Sequence, residues 1–310
     1  MRQLFCIVRV FEMKCELCPR RCGVDRSAAR GYCGMSTELT AAKAMLHYWE
    51  EPCISGTSGS GAVFFSGCVL KCAYCQNYDI SAGHKGRIIT EERLAEIFLE
   101  LERQGALNIN LVNPTHFVPG IIRAVKLARS KGLSIPIVYN SGGYERVETL
   151  RALDGIVDIY LPDVKYFDNG LAKTLSDASG YFDTAMSAVA EMVRQTGKPV
   201  FAGNDESKPL KRGTVVRHLV LPGQYRDSIE IVKRLGERFG GDILFSLMSQ
   251  YTPFGRVKTD PRFGKFNRRI TTFEYRKVLD EVYAAGLSGY MQEKSSAREE
   301  YTPEFDLSGL

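Results

Sequence analysis

From residue 61 onward the chain alternates two patterns. Short apolar runs at 62–66, 108–112, 135–139, 157–161, 215–221 and 242–248 are rich in Val, Ile and aromatics, with Gly, Pro, Asn or Asp at their bounds. Runs of this length are what strands buried on both faces of a parallel sheet look like. Between them apolar residues recur at helical spacing. Leu94, Ile97, Phe98 and Leu101 follow Thr90 as N-cap, and further stripes are Ile122, Val125, Ala128 and then Met186, Val189, Ala190, Val193. The last helix opens with Thr271 and Glu274, a capping box, and ends near Gly286. About six β/α units result, with 288–293 as a candidate further strand. Right-handed crossovers curl such a parallel sheet toward a full or partial barrel, and an open doubly wound sheet is the alternative. Both architectures put a site at the C-terminal ends of the strands.

The first 60 residues read differently, with few apolar stripes and a small-residue loop at 55–61 that marks a boundary. The expected division is a Cys-rich N-terminal extension at 1–60, an α/β core at 61–295 and a surface tail at 296–310. At 310 residues, 44% hydrophobic and 25% charged, the chain is long and apolar enough for a large core. Its net charge of +5, from 41 basic and 36 acidic residues, is a mild excess without a Lys/Arg block. That permits an acidic partner and gives no argument for nucleic acid. Arg9 interrupts the apolar start, and no run approaches the roughly 18 apolar residues of a membrane span. A soluble, cytoplasmic protein is expected.

Nine cysteines change the picture, because seven of them fall into two tight clusters. Clustering of this kind in a cytosolic chain points to metal or redox chemistry rather than disulfides. Cys68, Cys72 and Cys75 follow the first apolar run with spacing C-x3-C-x2-C. Three thiolates on one loop suit the corner of a cubane iron–sulfur cluster. A zinc site closes with four ligands or leaves one position for catalysis, and a structural knuckle completed by a distant His or Cys is the plainer alternative. With three ligands, the fourth iron is left open to a substrate. Upstream, Cys15, Cys18, Cys22 and Cys33 form a closed set of four, suited to zinc or to a second iron–sulfur cluster. Cys6 and Cys53 stand alone and read as buried thiols.

On these residues the chain resembles the radical S-adenosylmethionine (SAM) superfamily. The resemblance is carried by "CVLKCAYC", with Tyr74 in the aromatic position, and by "CQNYDIS", which includes Asn77 and looks like the activating-enzyme branch. The segments "NPTHFVP", "VYNSGGYE", "YLPDVKYFD", "VRHLVLPG" and "SLMSQYTP" are similar to a group named after the pyruvate formate-lyase activating enzyme. The resemblance implies a partial (β/α)6 TIM-like barrel and a [4Fe-4S] cluster on Cys68, Cys72 and Cys75. It further implies that SAM chelates the open iron and is split by one electron into methionine and a 5′-deoxyadenosyl radical that abstracts a hydrogen atom. Cleaving a sulfonium needs a potential toward the low end of the roughly −700 to +450 mV such clusters span. A ferredoxin or flavodoxin is therefore the expected electron donor. The implied activity is formation of a glycyl radical on a partner enzyme in an anaerobic setting. The alternatives are radical modification of a small molecule, peptide or RNA, or a non-catalytic iron–sulfur carrier or metal-dependent binding module.

The other strand ends supply candidate cofactor contacts. Family members commonly carry Gly-Gly-Glu after the second strand, to hold the SAM amino group. Here the turn is "NPTHF", and Asn113 or Thr115 is expected to replace the glutamate. His116 is a hydrogen donor or a loop histidine with its bonds satisfied. Asn140 and Ser141 suit ribose hydroxyls, although a Gly-Gly turn before a helix is an equal reading. Asp163 and Lys165 stand at i and i+2, on one side of an extended segment. The resemblance places such an Asp-x-Lys pair near the methionine moiety, with a solvated salt bridge as the alternative. Arg217 lies within a strand buried on both faces and must meet a carboxylate, SAM's own being one candidate. Ser249, Gln250 and Tyr251 crown the sixth strand and could face cofactor or substrate.

Overall fold

The computed structural model describes residues 14–203, 208–291 and 303–310. Cys6 lies outside them, as do positions 292 and 293 of the last expected strand. Among the described residues ten strands form one sheet system. Across the sheet the main path runs β10 (Gly289–Met291), β9 (Leu244–Met248), β8 (Leu210–Leu219), β6 (Ile159–Pro162), β5 (Ile137–Ser141), β4 (Ile109–Val112), β2 (Ser60–Phe65), β1 (Thr40–His47) and β3 (Arg87–Ile88). β7 (Val200–Phe201) pairs β8 off this path. From β2 to β10 the pairs on the main path are parallel and follow sequence order without reversal. A doubly wound sheet would reverse direction at a switch point. The uniform winding, with no pairing between the two end strands among the described residues, makes this a partial (β/α)6 TIM-like barrel, with β10 as a short added strand.

The helices form where their spacing places them. Thr90 caps Glu91–Arg103 by accepting from Arg93 N, and Leu94, Ile97, Phe98 and Leu101 are its buried face. Thr271 and Glu274 make both bonds of the capping box on Thr272–Ala284, and the chain leaves that helix through Gly286 at φ +64. Two stripes depart from the pattern: in Tyr181–Thr196 Met186 and Val189 are buried but Ala190 and Val193 are only partly covered, and a second stripe shifts by a residue. In Val118–Ser130 the buried positions are Ile121, Val125 and Ala128, while Ile122 is only partly covered. Among the described residues no helix is long and apolar enough to cross a membrane.

Two features at the chain's ends escape the periodicity. β1, inside the Cys-rich extension, pairs antiparallel with β2 from Ala41↔Phe65 to His47↔Ser60. The loop after it therefore lies at the N-terminal end of the barrel. There the short helix α1 (Pro52–Ser55) sets Cys53 and Ile54 against Val138, Ile159, Val215 and Leu244, closing the lumen from below. The C-terminal residues, which read as a surface tail, dock on β1 instead. Leu307 N donates to Ala42 O, Ala44 N donates to Ser308 O, and Phe305 is buried edge-on against Phe64. A single aromatic among polar neighbours carries no periodic signal, yet it suffices as an anchor.

Candidate active site

The cysteine loop leaves β2 through Gly67, at φ +81. A Cβ there would stand 2.4 Å from Met35 Cγ and 2.8 Å from the Cys33 carbonyl oxygen, so no larger residue fits. Cys68, Cys72 and Cys75 then line one end of a cavity of about 280 Å³. The same cavity is lined by Asn113, beside Cys68, and by Asn140, Ser141, Asp163, Lys165 and Arg217, one or two from each successive strand end. Tyr74 and Asn77 complete the cysteine side, and Gln250 and Tyr251 close it from β9. Of the residues expected to touch a cofactor, the fold brings eight to this one space. The exception is Thr115, which is buried away from the cavity with its hydroxyl donating to Glu145 Oε1 at 2.7 Å.

Hydrogen bonds reach all three thiols, Leu70 N donating to Cys68 Sγ at 3.4 Å. Ser176 Oγ donates to Cys72 Sγ at 3.0 Å and is itself bonded to the Tyr166 hydroxyl, which meets the Tyr74 hydroxyl at 2.7 Å. Ser81 Oγ lies 3.2 Å from Cys75 Sγ. Asn113, at φ +60, donates to Gly67 O and turns its Oδ1 toward Cys68 Sγ at 3.4 Å, which ties the β4 turn to the cysteine loop. Burial and the neighbouring thiols push Cys68 up to about 12 and Cys75 up to about 11. Without an added positive centre these sulfurs stay protonated, and iron supplies such a centre.

The far wall is a ring of charges around one guanidinium. Arg217 Nε donates to Asp163 Oδ1 at 3.0 Å, one terminal nitrogen to Glu50 Oε2 at 3.0 Å and the other to Asn140 Oδ1 at 2.6 Å. Lys165 Nζ reaches Asp163 Oδ2 at 2.6 Å, and Asn110 Nδ2 reaches Glu50 Oε1 at 2.9 Å. Burial alone would raise the Asp163 carboxyl, but the charges on Lys165 and Arg217 hold it below its ordinary value. The carboxylates that Arg217 meets are thus the protein's own. Asp163 and Lys165 form a largely buried pair, each about one-sixth exposed, rather than a solvated one. Glu50, together with His47 and Trp49 on the same cavity, was missed in the sequence, because only the antiparallel pairing of β1 carries that loop under the barrel.

Other candidates sit behind the walls. His116 is buried, its Nε2 2.6 Å from Ser66 O, and burial with the adjacent Arg26 charge brings it down to about 3. It is a neutral loop histidine here. Glu145 is a second residue the sequence did not single out. Thr115 donates to its Oε1 and Tyr139 to its Oε2 at 3.2 Å, and burial raises it to about 7. The upstream cysteines fold into one corner, where the Cys33 carbonyl accepts from Cys68 N at 3.3 Å. Cys18 feels the charges of Cys15 and Cys33, and burial pushes it to about 12. Among the described residues no group of three or more His, Cys, Asp and Glu side chains is arranged to hold a single metal ion. Cys53 is buried, as expected.

The residues of the triad fit a cubane, whose thiolates bind separate irons on one loop and accept hydrogen bonds at sulfur. The facing amides, hydroxyl, carboxylate and cations fit a small zwitterion with a ribose. Comparison with known proteins agrees. The family model for the radical SAM superfamily matches residues 62–236. An uncharacterised protein of Methanocaldococcus jannaschii is 29% identical over 86% of this chain and 73% of its own length. The pyruvate formate-lyase-activating enzyme of Streptococcus mutans is 26% identical over 56% of this chain and 64% of its own. Among solved structures, HydG, a maturase of the [FeFe]-hydrogenase, aligns at TM-score 0.51 and 16% identity over 76% of this chain. SuiB of Streptococcus suis bound to S-adenosylmethionine aligns at TM-score 0.51 and 14% identity over 75%. The chain spans about half the length of these two structures, 51% and 50%. With more than half of its residues matched by one family model, and the three-cysteine loop inside that match, the chain belongs to the radical SAM superfamily.

Proposed function

We propose that this protein is a radical SAM enzyme of the activating type, which removes a hydrogen atom from a backbone glycine of a partner enzyme. One observation carries the reading: three thiols on one loop face an Asp163–Lys165–Arg217 wall across a single cavity. A cluster held by these thiols would supply the one-electron reduction needed to cleave SAM bound beside it. Cys68, Cys72 and Cys75 hold the cluster. Lys165 addresses the methionine carboxylate, while Arg217, its nitrogens engaged by Asp163, Glu50 and Asn140, holds Asp163 in place. Asn113 takes the place of the missing glutamate toward the ammonium, since the Thr115 hydroxyl is committed to Glu145. Asn140 and Ser141 address the ribose, and Tyr74 and Asn77 complete the wall. The likeness to the Streptococcus mutans activating enzyme supports the choice of a glycyl substrate.

Anaerobic reconstitution with iron and sulfide, followed by SAM and dithionite, tests the chemistry. Equal amounts of 5′-deoxyadenosine and methionine are expected. An intact cluster without either product would favour an electron carrier. Deuterium appearing in 5′-deoxyadenosine from a glycine-labelled partner tests the substrate. A second reading keeps the radical and changes the substrate to a small molecule, a peptide or an RNA. It is favoured by the far wall, where His47, Trp49, Glu50 and Pro303 all lie outside the family-matched segment. The upstream set Cys15, Cys18, Cys22 and Cys33 is proposed as a second metal site, zinc or iron–sulfur. Iron and zinc counts on Cys18→Ser against the parent protein decide it.

A further inference from the structure

We propose that the outer edge of β1 is a docking strand for an extended segment of a polypeptide substrate, and that residues 303–310 hold this edge until that segment displaces them. The identity of the reaction rests on the activating-type reading, while the docking is tested apart from it.

β3 pairs with Thr40 and Ala41 of β1, and beyond them the edge is taken by the far end of the chain. Leu307 N donates to Ala42 O at 3.2 Å, and Ala44 N donates to Ser308 O at 3.0 Å. An added strand binds a sheet edge in this way. Gly309 passes so near β1 that a Cβ on it would collide with Ala44 O. Side chains fix the position. Lys43 Nζ donates to Glu304 O at 2.8 Å and to Asp306 Oδ1 at 2.9 Å. Phe305 is buried with Ala42, Ala62, Phe64 and Ile80 in a small cluster apart from the main core.

That cluster backs the cavity. Phe64 and Ile80 line the cavity, and so does Pro303, two residues before the buried phenylalanine. A chain held as 303–310 is held therefore enters the cavity with the residues that precede its apolar anchor. The hold is light, resting on one apolar side chain, a few backbone bonds and an ion pair whose carboxylate is 53% exposed. Segments tied down so sparsely open far more readily than a core strand. A competing segment with the same order, apolar then acidic, can make every one of these contacts. A small molecule has no use for a strand edge, so the occupant is a polypeptide.

A synthetic peptide of residues 303–310 with a photoreactive benzophenone at the Phe305 position tests the docking. Phe305→Ser/Asp306→Lys in the full chain should be labelled at least about tenfold more than the parent, whose own segment competes at high effective concentration. The label should map to β1 and β2. Equal labelling of the two proteins, or labelling elsewhere, overturns the docking edge. Amide exchange needs no variant: Ala44 and Leu307 of the parent should exchange at least about 100-fold faster than the amides of β5. Equal protection overturns displacement. A second peptide, with deuterated glycine at Pro303→Gly, is given to the cluster-loaded variant with SAM and dithionite. Deuterium is expected in 5′-deoxyadenosine. Unlabelled 5′-deoxyadenosine overturns delivery of substrate from this edge. If no 5′-deoxyadenosine forms at all, the radical SAM reading falls instead, and the labelling and exchange results still decide the docking.

Discussion

Arg217 is the residue on which the cavity's far wall depends. Its side chain is 13% exposed, and Glu50 and Asp163 beside it are 9% and 17% exposed. Removing the guanidinium leaves two carboxylates buried together. Arg217→Met is therefore expected to cost about 3–5 kcal/mol, read from the urea midpoint at constant m-value. A loss under about 1 kcal/mol would mean that water screens the ring. Glu145 gives a prediction in pH. Its folded carboxyl is raised from 4.5 to about 7 by burial, so the folded state keeps a proton that the unfolded chain releases. Stability should fall as pH rises through that window, by up to about 3 kcal/mol, and Glu145→Gln should abolish this slope. Equal slopes in parent and variant would place the titration elsewhere. At the cysteines, Cys72→Ala should remove both cluster absorbance and 5′-deoxyadenosine, because an incomplete corner cannot hold the cubane. Retention of both would refute the ligand assignment. These residue types were legible in the sequence from the C-x3-C-x2-C spacing and the strand-end positions. Glu50 and Glu145 were not, since each owes its role to neighbours distant in the chain or to burial.

At the scale of elements, the turn after β5 shows how backbone geometry fixes the site. Gly143 sits at φ +74, and a Cβ there would lie 2.0 Å from the Asp163 carbonyl oxygen. That carbonyl also accepts from the Tyr181 hydroxyl at 2.9 Å, so it has little room to retreat. Gly143→Ala should displace Asp163 and Lys165, and cluster-loaded protein should lose SAM cleavage while keeping its cluster absorbance. Full activity in this variant would show that the β6 end can move without cost. The parallel strands and most helices were readable as apolar runs and stripes because each element carries its own periodicity. β1 and the 303–310 segment were not, because their order comes from pairing with β2 and from one buried phenylalanine. The one-residue error at Ile122 has the same origin. Where Ile121 and Ile122 adjoin, both satisfy an apolar pattern, and only packing against the sheet selects one.

For the whole molecule, the reading requires that SAM bind through an iron held by the triad. SAM at about 100 times its Kd should stabilise cluster-loaded protein by about 2.7 kcal/mol, a rise of a few degrees in Tm. The Cys72→Ala protein should show no such shift under the same conditions. An equal shift in both would place SAM binding elsewhere. The uniform order of the parallel strands matters here as well. It directs every strand end toward one mouth, so residues as far apart as Cys68 and Arg217 meet across about 280 Å³.

By itself the sequence determined the parallel α/β class, the three-thiol loop and the family, because apolar period and thiol spacing are local properties of a chain. It also placed most of the polar residues at strand ends, where any barrel must present them. Only the tertiary structure decided which carboxylates Arg217 meets, that Thr115 turns from the cavity, and that an N-terminal loop closes the lumen. Those outcomes depend on antiparallel pairing and burial between distant segments, and free energies of that kind leave no periodic trace in the order of residues.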